Sequence, residues 1–123
     1  HRAAEQEIFQ IVPYMDIRQI RELCRKLPGC DASIWHDGEA VDLMPKGGSK
    51  ICGISRMLEH LGISRRETAA IGDGRNDITM LSFAGIGIAM GNAFPETKEA
   101  ADYITGDIAE GGLAQAVEWL IRQ

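Results

Sequence analysis

The chain has 123 residues, enough for one modest domain with a real core and short for an enzyme with a separate, complete substrate domain. It is 45% hydrophobic and 25% charged, as globular chains usually are, and no apolar run approaches the roughly 20 residues of a membrane span, which excludes a membrane protein. The net charge of -5 argues against a nucleic-acid binder, which needs a basic face for phosphates, and favours small-molecule or metal chemistry.

The sequence opens His1-Arg2 with no methionine and no charged-then-apolar leader, so no export signal is legible and a piece of something longer is expected. Residues 3 to 12 place Ala4, Ile8, Ile11 and Val12 at helical spacing before Pro13, which predicts a helix. A second helix is expected over DIRQIRELCRKL, with Ile17, Ile20, Cys24 and Leu27 on one face, an acid first, bases last and Pro28-Gly29 as the stop. Residues 31 to 44 alternate imperfectly about His36-Asp37-Gly38-Glu39, a short-turn signal that predicts a β-hairpin. Cys24, Cys30 and Cys52 are odd in number and widely spaced, so reduced thiols of a cytoplasmic protein are expected rather than a disulfide framework or a zinc site.

A module border is expected near residue 45, where the PKGGSK loop begins. A helix follows, with Ile51, Ile54, Leu58 and Leu61 on one face, Ser49 as N-cap and Gly62 as the residue past its end. Ser64 to Glu67 has capping-box spacing and leads into TAAIGDG, a short buried strand. Residues 76 to 84 restart a helix closed by Gly85, GIGIAMG reads as a second strand, FPETKEAAD as a short helix with Pro95 in its first turn, and YIT as a third strand. A terminal helix carries Ala116, Val117, Leu120 and Ile121 on one face. Residues 46 to 123 thus alternate α-β-α-β-α-β-α, which predicts a parallel α/β sheet with right-handed crossovers.

In such a sheet, ligands gather at the carboxyl ends of the strands. Gly72-Asp73-Gly74-Arg75-Asn76-Asp77 falls at that edge, with Gly74 expected to let the backbone turn sharply. Two hard carboxylates, Asp73 and Asp77, within one turn favour Mg²⁺, which takes one or two protein carboxylates and completes its shell with water and substrate phosphate; Asn76 is placed to contact a phosphate oxygen. The same residues are also ordinary helix caps, Asp77 above all. Spacing excludes an EF-hand, because Arg75 stands where a third oxygen ligand is needed. Lys50 opens the helix after a Gly-Gly-Ser loop, where it can meet a phosphate, although a first-turn lysine is usually only solvated. Gly85, Gly87 and Gly91 bracket a strand instead of following one, so they form no dinucleotide fingerprint, and PKGGSK lacks Walker spacing. His36 and His60 have no partner at metal spacing and read as a hairpin-tip and an exposed helical histidine.

PKGGSK, HLGI, AIGDGRNDITML, AGIGIAMGNA, AADYIT and a late Gly-Gly, in that order over residues 42 to 123, resemble the C-terminal half of Cof-type phosphatases of the haloacid dehalogenase (HAD) superfamily. The resemblance implies a Rossmann-like parallel half-sheet with helices on both faces over residues 45–123, preceded over residues 1–44 by the end of an α/β cap. It implies Asp73 and Asp77 as Mg²⁺ ligands, Asn76 as a phosphate-contacting amide, and Lys50 as the lysine that steadies the phosphate and the nucleophile's charge. It further implies a small phosphorylated substrate, such as a sugar phosphate, and an aspartyl-phosphate intermediate. The nucleophile motif of the family, DxDGT, is absent from these residues. A fragment inactive by itself is therefore expected, with an open strand edge for the missing N-terminal half or for self-association. The alternative from another class is a non-catalytic binding or assembly module built on the same half-core. A response-regulator-like receiver lacks its phosphoacceptor strand here.

Overall fold

The computed structural model describes residues 7–35 and 38–123, which divide into two compact units, one ending at residue 52 and one beginning at residue 53. In the first unit, helix α1 (Ile17–Lys26) starts at Asp16, whose carboxylate accepts hydrogen bonds from the Arg18 and Gln19 amides while the Gln19 side chain returns to the Asp16 amide. Arg25 and Lys26 complement the negative end of the helix dipole. Strands β1 (Cys30–Ile34) and β2 (Val41–Pro45) then pair antiparallel, Cys30 opposite Pro45 and Ile34 opposite Val41, as the alternation predicts. Ile20 of α1 is fully buried with Val41 and Leu43 of β2, backed by Met15, Leu23 and Cys24. Of the expected turn, His36 and Asp37 lie outside the described residues, and Gly38 takes a left-handed φ of 73°.

The helix expected over residues 3 to 12 is not found where the structure describes it. Residues 7–12 form no helix; Ile11 exchanges hydrogen bonds with Leu43 at 3.0 and 2.9 Å, and Tyr14 bridges Ala40. Ala4 lies outside the described residues. The cause is tertiary: β2 has a second edge whose amides and carbonyls need partners, and β-branched Ile8, Ile11 and Val12 suit an extended chain as well as a helix. Pro13, which has no amide hydrogen, still contributes its carbonyl to the Val41 amide at 3.4 Å.

Helix α2 (Lys50–Leu61) contains the border between the units. Ser49 Oγ accepts from the Cys52 amide at 3.2 Å, and the helix ends with Gly62 at φ 66° and with Gly62 and Ile63 amides bonded back to Glu59 and Leu58. That pattern is a Schellman motif, which the glycine alone announced. A 3-10 turn at Arg65–Glu67, closed by the expected Ser64 and Glu67 capping box, leads into β3 (Ala69–Gly72).

The second unit continues with a 3-10 turn at Arg75–Asp77, α3 (Ile78–Phe83), β4 (Ile86–Ala89), α4 (Pro95–Glu99), β5 (Tyr103–Ile104) and α5 (Gly112–Ile121). The strands run parallel in the order β3-β4-β5, so β3 pairs with β4 on one side and with no described strand on the other. Helices cover both faces, as alternation along the strands requires. On one face a Cβ at Gly87 would lie 2.6 Å from the Leu81 carbonyl, so glycine admits α3, and Leu81 is buried with Ala89, Met90 and Ala93. On the other, Tyr103, in register with Ile88, stacks on Trp119 of α5 with ring centroids 4.3 Å apart.

Helix α5 buries Ala116 but leaves Val117 and Ile121 exposed, so the apolar face expected for it is only partly used. The late Gly-Gly has a steric reason. Gly111 adopts φ 76°, and a Cβ at Gly112 would collide with the Gly106 carbonyl, whose carbon lies 2.5 Å from that position. Substitution Gly112→Ala should therefore destabilise the unit by about 1–3 kcal/mol through overpacking. Equilibrium urea unfolding checks this, and an unchanged midpoint would contradict the close approach.

Candidate functional site

From Gly72, the last residue of β3, the chain passes through Asp73 and Gly74 into the 3-10 turn Arg75–Asp77, so Asp73, Asn76 and Asp77 share one loop. The three sequence-predicted residues are thus brought together on one loop at the edge where a parallel sheet collects ligands. Their roles in the loop differ. Asp77 is buried, and its Oδ2 accepts hydrogen bonds from the Asp73 amide at 3.2 Å and the Gly74 amide at 3.0 Å. Asp73 and Asn76 are exposed.

Gly72, before Asp73, makes this possible by its lack of a side chain. A Cβ at Gly72 would lie 2.5 Å from the Asp77 Cβ and 2.8 Å from its Oδ2, and one at Gly74 would strike the amide oxygen of Asn76. The expectation that Gly74 serves a sharp turn is corrected: its φ of -88° is open to any residue, and the atom a Cβ would meet is the end of the exposed Asn76 side chain, which can turn away.

The turn is anchored from neighbouring elements. The fully buried Thr97 of α4 donates its hydroxyl to the Gly74 carbonyl at 3.1 Å. The Met90 amide bonds to the Gly72 carbonyl at 2.9 Å and the Phe94 amide to the Asp73 carbonyl at 3.3 Å. Arg75 lies over the Phe94 ring, 4.5 Å from its centroid, and reaches Glu96 Oε1 at 3.2 Å. The Asp73 carboxylate accepts a hydrogen bond from Asn92 Nδ2 at 3.1 Å. A cavity of about 240 Å³ opens beside the loop, lined by Ile71, Gly72, Asp73, Asp77, Met90, Ile108 and Leu113.

Among the described residues no three His, Cys, Asp or Glu side chains converge on one point. The donor set at the loop is two carboxylates, one exposed and one buried, which suits Mg²⁺, a hard ion that uses few protein ligands and keeps water and phosphate in its shell. Lys50 is exposed at the first position of α2, in the first unit. Its loop is ordered: the Gly47 amide donates to Asp31 Oδ2 at 2.8 Å, Gly47 has φ 83°, and the Gly48 amide closes a turn on the Pro45 carbonyl.

Sequence reasoning missed Arg75, Asn92, Glu96 and Thr97 as parts of the site's frame. Asn92 had a legible signal, since it follows β4 at the same sheet edge; Thr97 had none, because a buried threonine in a short helix is silent until the packing is known.

A family model described as haloacid dehalogenase-like hydrolase matches residues 2–117. The Bacillus subtilis protein YkrA, whose name proposes a phosphatase, is 40% identical over 114 residues, 93% of this chain and 44% of YkrA. A Geobacillus stearothermophilus protein of the pdhA 5′ region is 49% identical over 86 residues, 70% of this chain and 90% of that one. A solved sugar phosphatase of HAD subclass IIB superposes with a TM-score of 0.82 at 37% identity, over 97% of this chain and 45% of that one. The chain thus spans a little under half the length of YkrA and of that sugar phosphatase.

Glu96 provides a pH test of the frame. A hydrogen bond from its own backbone amide at the start of α4, and then Arg75, hold its carboxyl below the usual glutamate value. A lowered folded-state value means that its contribution to stability is complete above the ordinary glutamate value and is lost as pH falls through the lower one. NMR titration of the Glu96 carboxyl should give a value below that of a model peptide, rising in Arg75→Ala; a value that Arg75→Ala leaves unchanged would show that the Arg75 clamp does not form.

Proposed function

The chain belongs to the haloacid dehalogenase-like hydrolase family, and on that premise we propose that it is the C-terminal part of a Mg²⁺-dependent phosphatase of small phosphorylated metabolites, with sugar phosphates the favoured class. One observation carries the reading: an exposed carboxylate, Asp73, is presented at the carboxyl end of a parallel strand by a turn that a second, buried carboxylate closes. Sugar phosphates are favoured by the likeness to a sugar phosphatase. In this reading residues 1–44 end a cap and residues 45–123 form the second half of the core. The edge of β3 that meets no described strand is where the first half would pair. Free Cys24, Cys30 and Cys52 support a cytoplasmic setting.

Asp73 would supply the direct carboxylate to a bound metal, and Asp77 would add a second negative charge while shaping the turn. Asn76 donates its amide to a phosphate oxygen. Lys50 balances charge on the phosphate and on the attacking group. A Mg²⁺ ion held there would neutralise phosphate charge and so ease attack at phosphorus. In this reading the nucleophile is an aspartate outside these 123 residues: its carboxylate oxygen bonds to phosphorus as the bond from phosphorus to the ester oxygen breaks, and the leaving alkoxide takes a proton from water. Water then attacks the phosphorus of the acyl phosphate, releasing inorganic phosphate and restoring the carboxylate. Without that aspartate, the chain alone turns over nothing.

The second reading, a non-catalytic module, draws on one observation: Asp77 Oδ2 is already engaged by two backbone amides, as a purely structural acid would be. Substitution Asp73→Ala in the uninterrupted phosphatase should lower Mg²⁺-dependent phosphate release from sugar phosphates by at least about a thousandfold, the scale of losing a principal electrostatic group. Retained turnover would overturn the assignment and favour the module.

A further inference from the structure

Asp73 is held from outside its own turn by Asn92. The Asn92 Oδ1 accepts a hydrogen bond from the Ile108 amide at 3.0 Å, which orients the side-chain amide, since only the oxygen can accept from N–H. Its Nδ2 is thereby committed to donating, and it donates to Asp73 Oδ2 at 3.1 Å. The placement of residue 92 is enforced by the backbone. The Gly91 amide bonds to the Gly106 carbonyl at 2.9 Å, and a Cβ at Gly91 would lie 2.5 Å from the Asp107 nitrogen, so only glycine lets the two loops come this close. Among the described residues no other side chain or backbone amide engages the Asp73 carboxylate, so one oxygen is tethered and the other remains for a ligand.

From this geometry we propose that Asn92 is a positioning residue of the phosphatase site. It holds the Asp73 carboxylate in one rotamer by Oδ2, assigns Oδ1 to the metal, and registers both against the 3-10 turn Ile108–Glu110 beside the cavity. A ligating carboxylate fixed by a hydrogen-bond donor binds more tightly because its orientation is prepaid, and loss of such a partner typically costs about 10–100-fold in metal affinity. The metal half of the proposal rests on the function proposed above; the positioning half does not.

The test uses the isotopically labelled chain, wild type beside Asn92→Asp and Asn92→Ala. Asn92→Asp keeps an oxygen for Ile108 but replaces the donor to Asp73 with a like charge, whereas Asn92→Ala loses both contacts. In metal-free protein, side-chain couplings should report one Asp73 rotamer in wild type and averaging in both variants. Ile108 amide exchange should accelerate in Asn92→Ala and stay near wild type in Asn92→Asp. With Mg²⁺ alone as titrant, followed through the amides of residues 72–77, both variants should bind about tenfold or more weakly. If Asn92→Asp leaves the Asp73 rotamer unchanged, Asn92 only tethers the loop and the inference fails, whatever the metal does. If the rotamer is lost but wild type and Asp73→Asn respond alike to Mg²⁺, the positioning stands and the metal reading fails.

Discussion

The hydrogen bonds that the Asp73 and Gly74 amides donate to Asp77 Oδ2 are the constraint on which this end of the sheet depends. They are made to a buried carboxylate, where a charge-assisted bond contributes about 1.5–3 kcal/mol and an unpaired charge would cost more. The demand for them propagates outward. Gly72 must lack a Cβ for the Asp77 side chain to fit, and Asp73, the next residue, is left as the one whose side chain leaves the turn. A loop that satisfies its own amides internally can present an acid to solvent without fraying.

The surrounding elements stiffen the loop instead of adding ligands. Thr97 fixes the Gly74 carbonyl, the Phe94 amide fixes that of Asp73, and Arg75 spans to α4 through Phe94 and Glu96. Asn92 links the carboxylate itself to the loop after β5. The loops that follow β3, β4 and β5 thus all meet at Asp73, and an acid held this way is preorganised.

Much of this was legible in the residues. Caps and stops have local causes, so Asp16, Ser49, Gly62 and the Ser64–Glu67 pair act as their spacing predicts. The alternation of short apolar runs with helical ones likewise yielded the parallel sheet over residues 69–104. Residues 7–12 failed because their pattern suits two conformations and the choice belongs to β2, more than thirty residues away in the chain. At the site, residue types foretold the acids, but the sharing of work between Asp73 and Asp77 depends on burial and on which oxygen meets which amide. Neither is encoded in spacing.

The central claim is that the turn closed by Asp77 offers Asp73 as the metal-binding carboxylate of the chain. Paramagnetic broadening by Mn²⁺, standing in for Mg²⁺, reads this directly in the amide spectrum. At the lowest Mn²⁺ concentrations the resonances of residues 72–77 and of Asn92 should vanish first, and Asp73→Asn should abolish that pattern. Broadening that begins at other carboxylates, such as Asp107 or Glu110, and is indifferent to Asp73→Asn would contradict the account.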